Sequence, residues 1–302
     1  MGLIKSHSEI LFLYDIKDAN PNGDPVDENK PRIDEETGIN IVTDVRLKRT
    51  IRDYLYEYKG QEVFIREIRD EKGNLKTKED RLSEFKDEQD IIKNCIDVRL
   101  FGATTAVKDK TMTLMGPVQF KFGRSLHRVD LTYIKGTTVM PSKEDKKQGT
   151  FTEKYILPYS LIAFYGIVNQ NAAKMQNIDL TEEDVKLMLE GIWGGTKALI
   201  STSKFGQMPR LLLHVVYKKE NFFIGELDRR IKFISPKRDE EIRDITDGKI
   251  ELAELYAILN KYKENIDKIE YKADERVRFT VDGEETTLIE VFKDFKLEEL
   301  HF

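Results

Sequence analysis

The segment Ser8–Ile16 constrains this chain more than any other. Ile10, Phe12, Tyr14 and Ile16 alternate with Leu11 and Leu13, so an extended backbone here is apolar on both sides. That pattern belongs to a central strand of a sheet. Directly after it comes Asp18-Ala19-Asn20-Pro21-Asn22-Gly23-Asp24-Pro25, a dense cluster of turn formers. A polar loop then runs to about Ile41.

Thr43 or Asp44 is placed to cap a helix reaching about Tyr58. Leu47, Ile51, Tyr54, Leu55 and Tyr58 share one face of it. Lys48, Arg49 and Arg52 lie on the adjoining flank, with Arg46 beyond. Docking the apolar face on a sheet leaves the basic flank at its margin. Further along, Glu62–Arg69 alternates as a strand, Asp70–Asn74 reads as a turn, and Asp80–Leu100 as mostly helical. Met115–Gly123 returns to strand, with Val118, Phe120 and Phe122 on one side. Leu126–Val139 and Gly149–Leu157 read as extended arms around a polar tip, a long hairpin leaving the body. Lys121 to Lys154 holds 8 basic and 4 acidic residues. A helix is expected from Thr181 to about Ile200, then a loop Ser201–Gln207. Pro209–Lys218 and Asn221–Gly225 read as a strand pair, and Ile250–Lys263 as the last clear helix. No repeat period and no Pro/Gly/Ser-rich linker divides the chain, which favours one domain, 1–302, with insertions.

The net charge of −5 hides an asymmetry. Asp239 to Phe302 carries 10 Lys and Arg against 19 Asp and Glu, while the other residues hold 40 against 36. A local basic groove binds phosphate even on an acidic protein, and the acidic C-terminal segment, 239–302, reads equally well as a solvated surface. No run approaches the roughly eighteen apolar residues of a membrane span. The N-terminus lacks a signal-peptide pattern, and Cys95, the single cysteine, fits a reducing cytoplasm.

Tests for chemistry exclude more than they support. Asp18-x-Asn20-x-Asn22-Gly23 opens like a calcium loop, but Asn29 stands where the bidentate Glu belongs. His7, His127, His214 and His301 show no metal-ligand spacing, and His214, inside an apolar strand, reads as a core histidine. Gly191–Lys197 lacks the spacing of a phosphate-binding loop. Asp24, Asp27 and Asp34 share one loop, where clustered acids can orient a metal or water, although Asp is also an ordinary loop residue. No cofactor is implied. Three segments remain as phosphate-binding candidates: the flank Arg46/Lys48/Arg49/Arg52; Lys121, Arg124, His127 and Arg128 of the hairpin region; and the loop Ser201–Gly206.

Taken together, Asn20–Pro25, Pro31-Arg32-Ile33-Asp34, Thr37-Gly38, Val42–Arg52, Asp97–Ala103, Gly116–Phe120 and Ser125-Leu126-His127 resemble the backbone subunit of type I CRISPR Cascade complexes, nearest the type I-B and I-C branch. The likeness runs from about Ile10 to Val216. It implies an α+β fold of the RAMP superfamily: an RRM-like (ferredoxin-like) palm, a helical finger insertion over 62–114 and a thumb hairpin over 124–158. It implies a non-enzymatic, cytoplasmic antiviral protein that polymerises along CRISPR RNA and presents the guide for pairing with target DNA. Its partners would be further copies of itself, a large, a small and a cap subunit, and the repeat-processing ribonuclease, with no membrane. The resemblance assigns RNA contacts to Arg46, Lys48, Arg49 and Arg52 and to Ser201, Thr202, Ser203, Lys204 and Gly206 of a loop that is glycine-rich in the family and has one glycine here, while Lys121, Arg124, His127 and Arg128 stand as RNA-contact candidates on their own chemistry. Val139 and Met140 would wedge a displaced base. Related type III subunits cut target RNA with an aspartate of the loop after the first strand. Metal-dependent RNA cleavage from the Asp24–Asp34 loop is therefore the alternative.

Overall fold

A computed structural model describes residues 2–107, 110–137 and 151–302. In chain order the elements begin with β1 (Ser8–Ala19), the small ribbon β2 (Gly23–Asp24) and β3 (Lys30–Pro31), β4 (Ile39–Val42) and helix α1 (Asp44–Lys59). Then come α2 (Lys78–Ser83), α3 (Glu88–Asn94), α4 (Ile96–Phe101) and the ribbon β5 (Gly102–Val107) with β6 (Lys110–Met115). Next are β7 (Val118–Phe120), β8 (Gly123–Arg128), β9 (Thr132–Thr137), β10 (Phe151–Val168), α5 (Gln170–Met175), α6 (Glu182–Ala198) and β11 (Met208–Tyr217). The C-terminal part supplies β12 (Lys232–Ile234), β13 (Lys249–Glu251), α7 (Ala253–Lys261), β14 (Ile266–Ala273), β15 (Phe279–Val281), β16 (Glu284–Thr286), α8 (Leu288–Val291) and β17 (Leu297–Glu299).

The fold is α+β around one large sheet of order β17-β14-β11-β1-β10-β8-β4. As its two-sided pattern requires, β1 lies inside the sheet, antiparallel to β10 and to β11. Ile10, Phe12, Tyr14 and Ile16 face a core closed by α1 and α6, with Leu47, Ile51, Leu55, Met188 and Ile192. Leu11 and Leu13 face a second core closed by the C-terminal layer, including Leu227, Ile245, Leu255, Leu259 and Phe292. The acidic segment packs as a layer on the main sheet. Its β14 and β17 extend the main sheet, and β12-β13-β15-β16 form a second one. Among the described residues no helix is long and apolar enough to cross a membrane.

Three expected elements differ, for physical reasons. Glu62–Arg69 is not a strand: the Phe64 and Ile65 amides donate to the buried Asp97 carboxylate at 2.7 and 3.1 Å, which removes them from any ladder. Asn221–Gly225 does not pair with β11, both of whose edges are taken by β1 and β14. Instead the Ile224 and Gly225 amides donate to buried Glu9 at 2.8 and 2.7 Å, which also accepts the Tyr165 and Tyr217 hydroxyls. The helix expected from Ile250 begins at Ala253, because Lys249–Glu251 pairs with β12 and, in parallel, with β15.

The projecting hairpin is shorter than expected. Its paired arms are Thr132–Thr137 and Phe151–Ile156, in register Phe151↔Thr137 to Ile156↔Thr132. Gly123–Arg128 is instead a strand of the main sheet, held between β10 and β4. Val139 and Met140 lie outside the described residues. His214 is a core histidine as expected, buried between Glu270 and Ser8 at 2.7 Å each.

Candidate nucleic-acid interface

The turn-rich motif after β1 is a junction. Asn20 donates its backbone amide to the Ser203 carbonyl at 2.8 Å and its side-chain amide to the Asn29 carbonyl at 2.7 Å. Asn22 Oδ1 accepts both the amide and the hydroxyl of Thr43, at 2.9 and 2.8 Å. Thr43 is the N-cap of α1 but makes no side-chain cap bond to the helix; Asn22 holds that end. A Cβ on Gly23 would fall 2.1 Å from the Asn29 side chain, so the turn closes only on glycine. The motif therefore fastens together the end of β1, the start of α1 and the 201–207 loop. Replacing Asn22 with Ala is expected to destabilise the fold by about 1–2 kcal/mol in a denaturant titration.

This junction places Lys204 within electrostatic reach of Arg46. Arg46 bonds Thr50 at 2.9 Å, its Nε has no hydrogen-bond partner, and it shares a small cavity with Gln207, Thr196 and Tyr14. Burial lowers the Arg46 pKa. Burial and then the nearby Arg46 charge lower that of Lys204. The Gln207 side-chain amide nitrogen is also buried without a partner. Arg46 Nε and the Gln207 amide nitrogen are thus buried donors left without a protein partner, close to two partly desolvated cations. Gln207 carries no signature in sequence; only the chain path of the loop delivers it.

The rest of the helix flank divides. Arg49 is exposed and paired with Asp53 at 2.7 Å. Lys48 and Arg52 are buried. Lys48 bonds Asp44 and Gln119 at 3.0 and 3.1 Å. Arg52 bonds Asp97 at 2.9 Å and covers the Phe101 ring. Both side chains are occupied inside the protein, which corrects their expected place on an exposed basic flank. A helix packed on a sheet buries its margin as well as its apolar stripe, and long basic stems cover apolar surface there.

Lys121, Arg124 and Arg128 form a second, exposed group with acidic neighbours: Asp228 at 3.2 Å, Asp34 at 3.5 Å and Glu240 at 3.5 Å respectively. His127 is buried in this region, stacked on Tyr159. Its Nδ1 meets the Arg128 carbonyl at 2.7 Å, Nε2 accepts from the Leu161 amide, and burial lowers its pKa. It supports β8 and is closed to a ligand in this conformation.

The loop Ser201–Gly206 meets the hairpin base. Lys154 donates to the Thr202 carbonyl at 3.4 Å. A cleft of about 410 Å³ runs between Thr202, Ser203 and Phe205 on one side and Ile134 and Glu153–Ile156 on the other. Phe205 is 72% exposed, a ring free to meet a ligand at the mouth of that cleft.

The loop acids do not converge. Asp24 pairs with Arg32 at 2.5 Å and Asp27 with Lys30 at 2.7 Å. Asp34 accepts the Glu36 and Thr37 amides and meets Arg124; the Thr37 amide leads in lowering its pKa. Among the described residues no group of three or more His, Cys, Asp or Glu side chains is arranged to hold a metal ion.

A family model described as CRISPR-associated protein Cas7 matches residues 6–253. A curated protein of the same description, from Haloferax volcanii, is 31% identical over 319 aligned positions, spanning 95% of this chain and 92% of the relative. Among solved structures, a chain of a "CRISPR RNA-guided surveillance complex" superposes with a TM-score of 0.54 at 16% identity, over 89% of this chain and 90% of the other. A chain of a "CRISPR RNA-guided surveillance complex, pre-nicking" superposes at 0.55 and 12% identity, over 89% and 93%.

Proposed function

The chain belongs to the CRISPR-associated Cas7 family, and on that premise we propose that it is a non-catalytic backbone subunit of an RNA-guided surveillance complex. Copies of it polymerise along CRISPR RNA and leave the guide free to pair with target DNA. The observation that carries this reading is the Arg46–Lys204 pair with the unpartnered Gln207 amide, at the junction of β1, α1 and the 201–207 loop. Two neighbouring cations held partly out of water fit a phosphate, and Arg49, Lys154 and the loop Ser201–Gly206 extend the path along a nucleic-acid backbone. Lys121, Arg124 and Arg128 form a second contact region, in which phosphate would replace surface acids.

The palm is RRM-like. The order β1, α1, β8, β10, α6, β11 in sequence and β11-β1-β10-β8 in space supports it, being the split βαβ arrangement. We assign the finger to 62–114 and the thumb to 124–158, with displacement of a base as the task of Val139 and Met140. We assign the chain to the type I-B/I-C branch, working in the cytoplasm with the large, small and cap subunits and the repeat-processing ribonuclease. RNA cleavage from the first loop finds no support in Asp24, Asp27 and Asp34, each committed to an ion pair or a turn.

The test is a native gel shift with single-stranded RNAs of stepwise increasing length, in magnesium. A ladder of shifted species that gains one step per added subunit length is expected, weakening as salt rises. No shift at low salt, with or without a cap subunit, would remove the reading; shortened RNA would revive cleavage.

A further inference from the structure

The hairpin and the sheet share one strand. β10 pairs with β1 as far as Ala19↔Leu157 and with β9 from Ile156 onward. At the changeover the ladder is broken from both sides. Pro158 has no amide to donate. Asp18 drops out of the register and takes φ 51°, in the left-handed region. β10 itself runs on as one strand, but past Leu157 it leaves β1, and the arm is held by β9 and by side-chain contacts to the loop after β1.

A second contact lies just beyond the break. The Tyr155 hydroxyl donates to Glu28 Oε2 at 3.0 Å. Lys30 sits 5.2 Å from the Tyr155 ring centre and 3.5 Å from Glu28. Tyr133 of the other arm packs on the same ring at 5.1 Å. Glu28 and Asn29 both hold left-handed backbone, φ 47° and 57°. Two successive non-glycine residues in that region are uncommon and persist where surrounding bonds over-determine them. Here Asn29 is pinned by Asn20 and by the Asp24 carbonyl, so the strain serves to present Glu28. The hydrogen bond to Glu28 leads in raising the Tyr155 pKa.

We propose that Glu28 and Tyr155 form a clasp that sets the pitch of the hairpin over the cleft it shares with the 201–207 loop, and so act as positioning residues for RNA held there. This rests on the RNA-binding reading above. The turn motif has a task the family resemblance does not assign to it: its far end steers the hairpin.

The experiment uses the full chain and Y155F, which keeps the ring and loses only the hydroxyl, together with E28Q, which keeps an acceptor. Amide hydrogen exchange is followed in the hairpin arms, Thr132–Thr137 and Thr152–Ile156, and in β1 and β11. Dissociation of a single-stranded RNA that holds several copies is timed in parallel. Y155F is expected to exchange about three- to ten-fold faster in the hairpin arms, with β1 and β11 unchanged, and to release RNA faster by a similar factor. E28Q is expected to stay near wild type. Unchanged hairpin exchange overturns the clasp. So does faster exchange throughout the sheet, or faster hairpin exchange with unaltered RNA release. Wild type that binds no RNA is a different failure, that of the function itself, and shows before any variant is made.

Discussion

Asp97→Ala is expected to lower stability by about 3–5 kcal/mol in denaturant unfolding. Asp97 is fully buried and accepts from Arg52 at 2.9 Å, the Phe64 amide at 2.7 Å and the Ile65 amide at 3.1 Å. Alanine strands a buried guanidinium and two amides at once. The excess cost comes from the abandoned partners, so R52M with D97L should cost less than D97A alone, a strong non-additivity. D97A within about 1 kcal/mol of wild type would show that water reaches this pair. Arg52 is consequently a poor probe of RNA binding, since reversing it breaks the fold before it touches a phosphate.

Arg46→Met with Lys204→Met is expected to weaken single-stranded RNA binding by about ten-fold or more at moderate salt. The loss should be alike for all sequences, with the salt slope shallower by about 0.7 per contact removed. Stability should move the other way or not at all. Both pKa values lie below their ordinary range because burial disfavours the charged forms, so neutral side chains relieve a cost of folding. A pair that binds less RNA while melting no lower separates function from stability. Unchanged affinity and slope would remove the Arg46–Lys204 site; a large drop in melting temperature would make these residues structural.

What was legible in the sequence was local. The two-sided strand at Ser8 and the helices from Asp44 and Glu182 follow from periodicity and caps, and the structure has them within a few residues, whereas the first hairpin arm begins at Thr132 rather than Leu126. Of the candidate phosphate-binding residues, Lys204 lies within reach of the Arg46 charge, whereas Lys48, Arg52 and His127 are enclosed. The errors share a cause. Amides of Phe64, Ile65, Ile224 and Gly225 bond carboxylates from elsewhere in the chain, Asp97 and Glu9. A carboxylate 33 or 216 residues away leaves no mark on the alternation pattern around its donor. The parallel pairings β13–β15 and β14–β17 are equally invisible to a local window, which is why the packing of the acidic C-terminal segment as a layer could not be read from sequence.

That layer has a consequence for how a nucleic acid can be read. With α1 and α6 on one side of the main sheet and the C-terminal elements on the other, the central strands β1 and β11 are covered on both faces and offer no open pleat on which a base could stack. If the proposed function holds, a strand passing over this body meets rims and loops, where amides, a lysine and an arginine would grip its phosphates. Such a surface is illiterate by construction. On the proposed function it would hold every guide with the same side chains, so a new spacer would need no new protein, and the reading would be left to whichever strand arrives to pair.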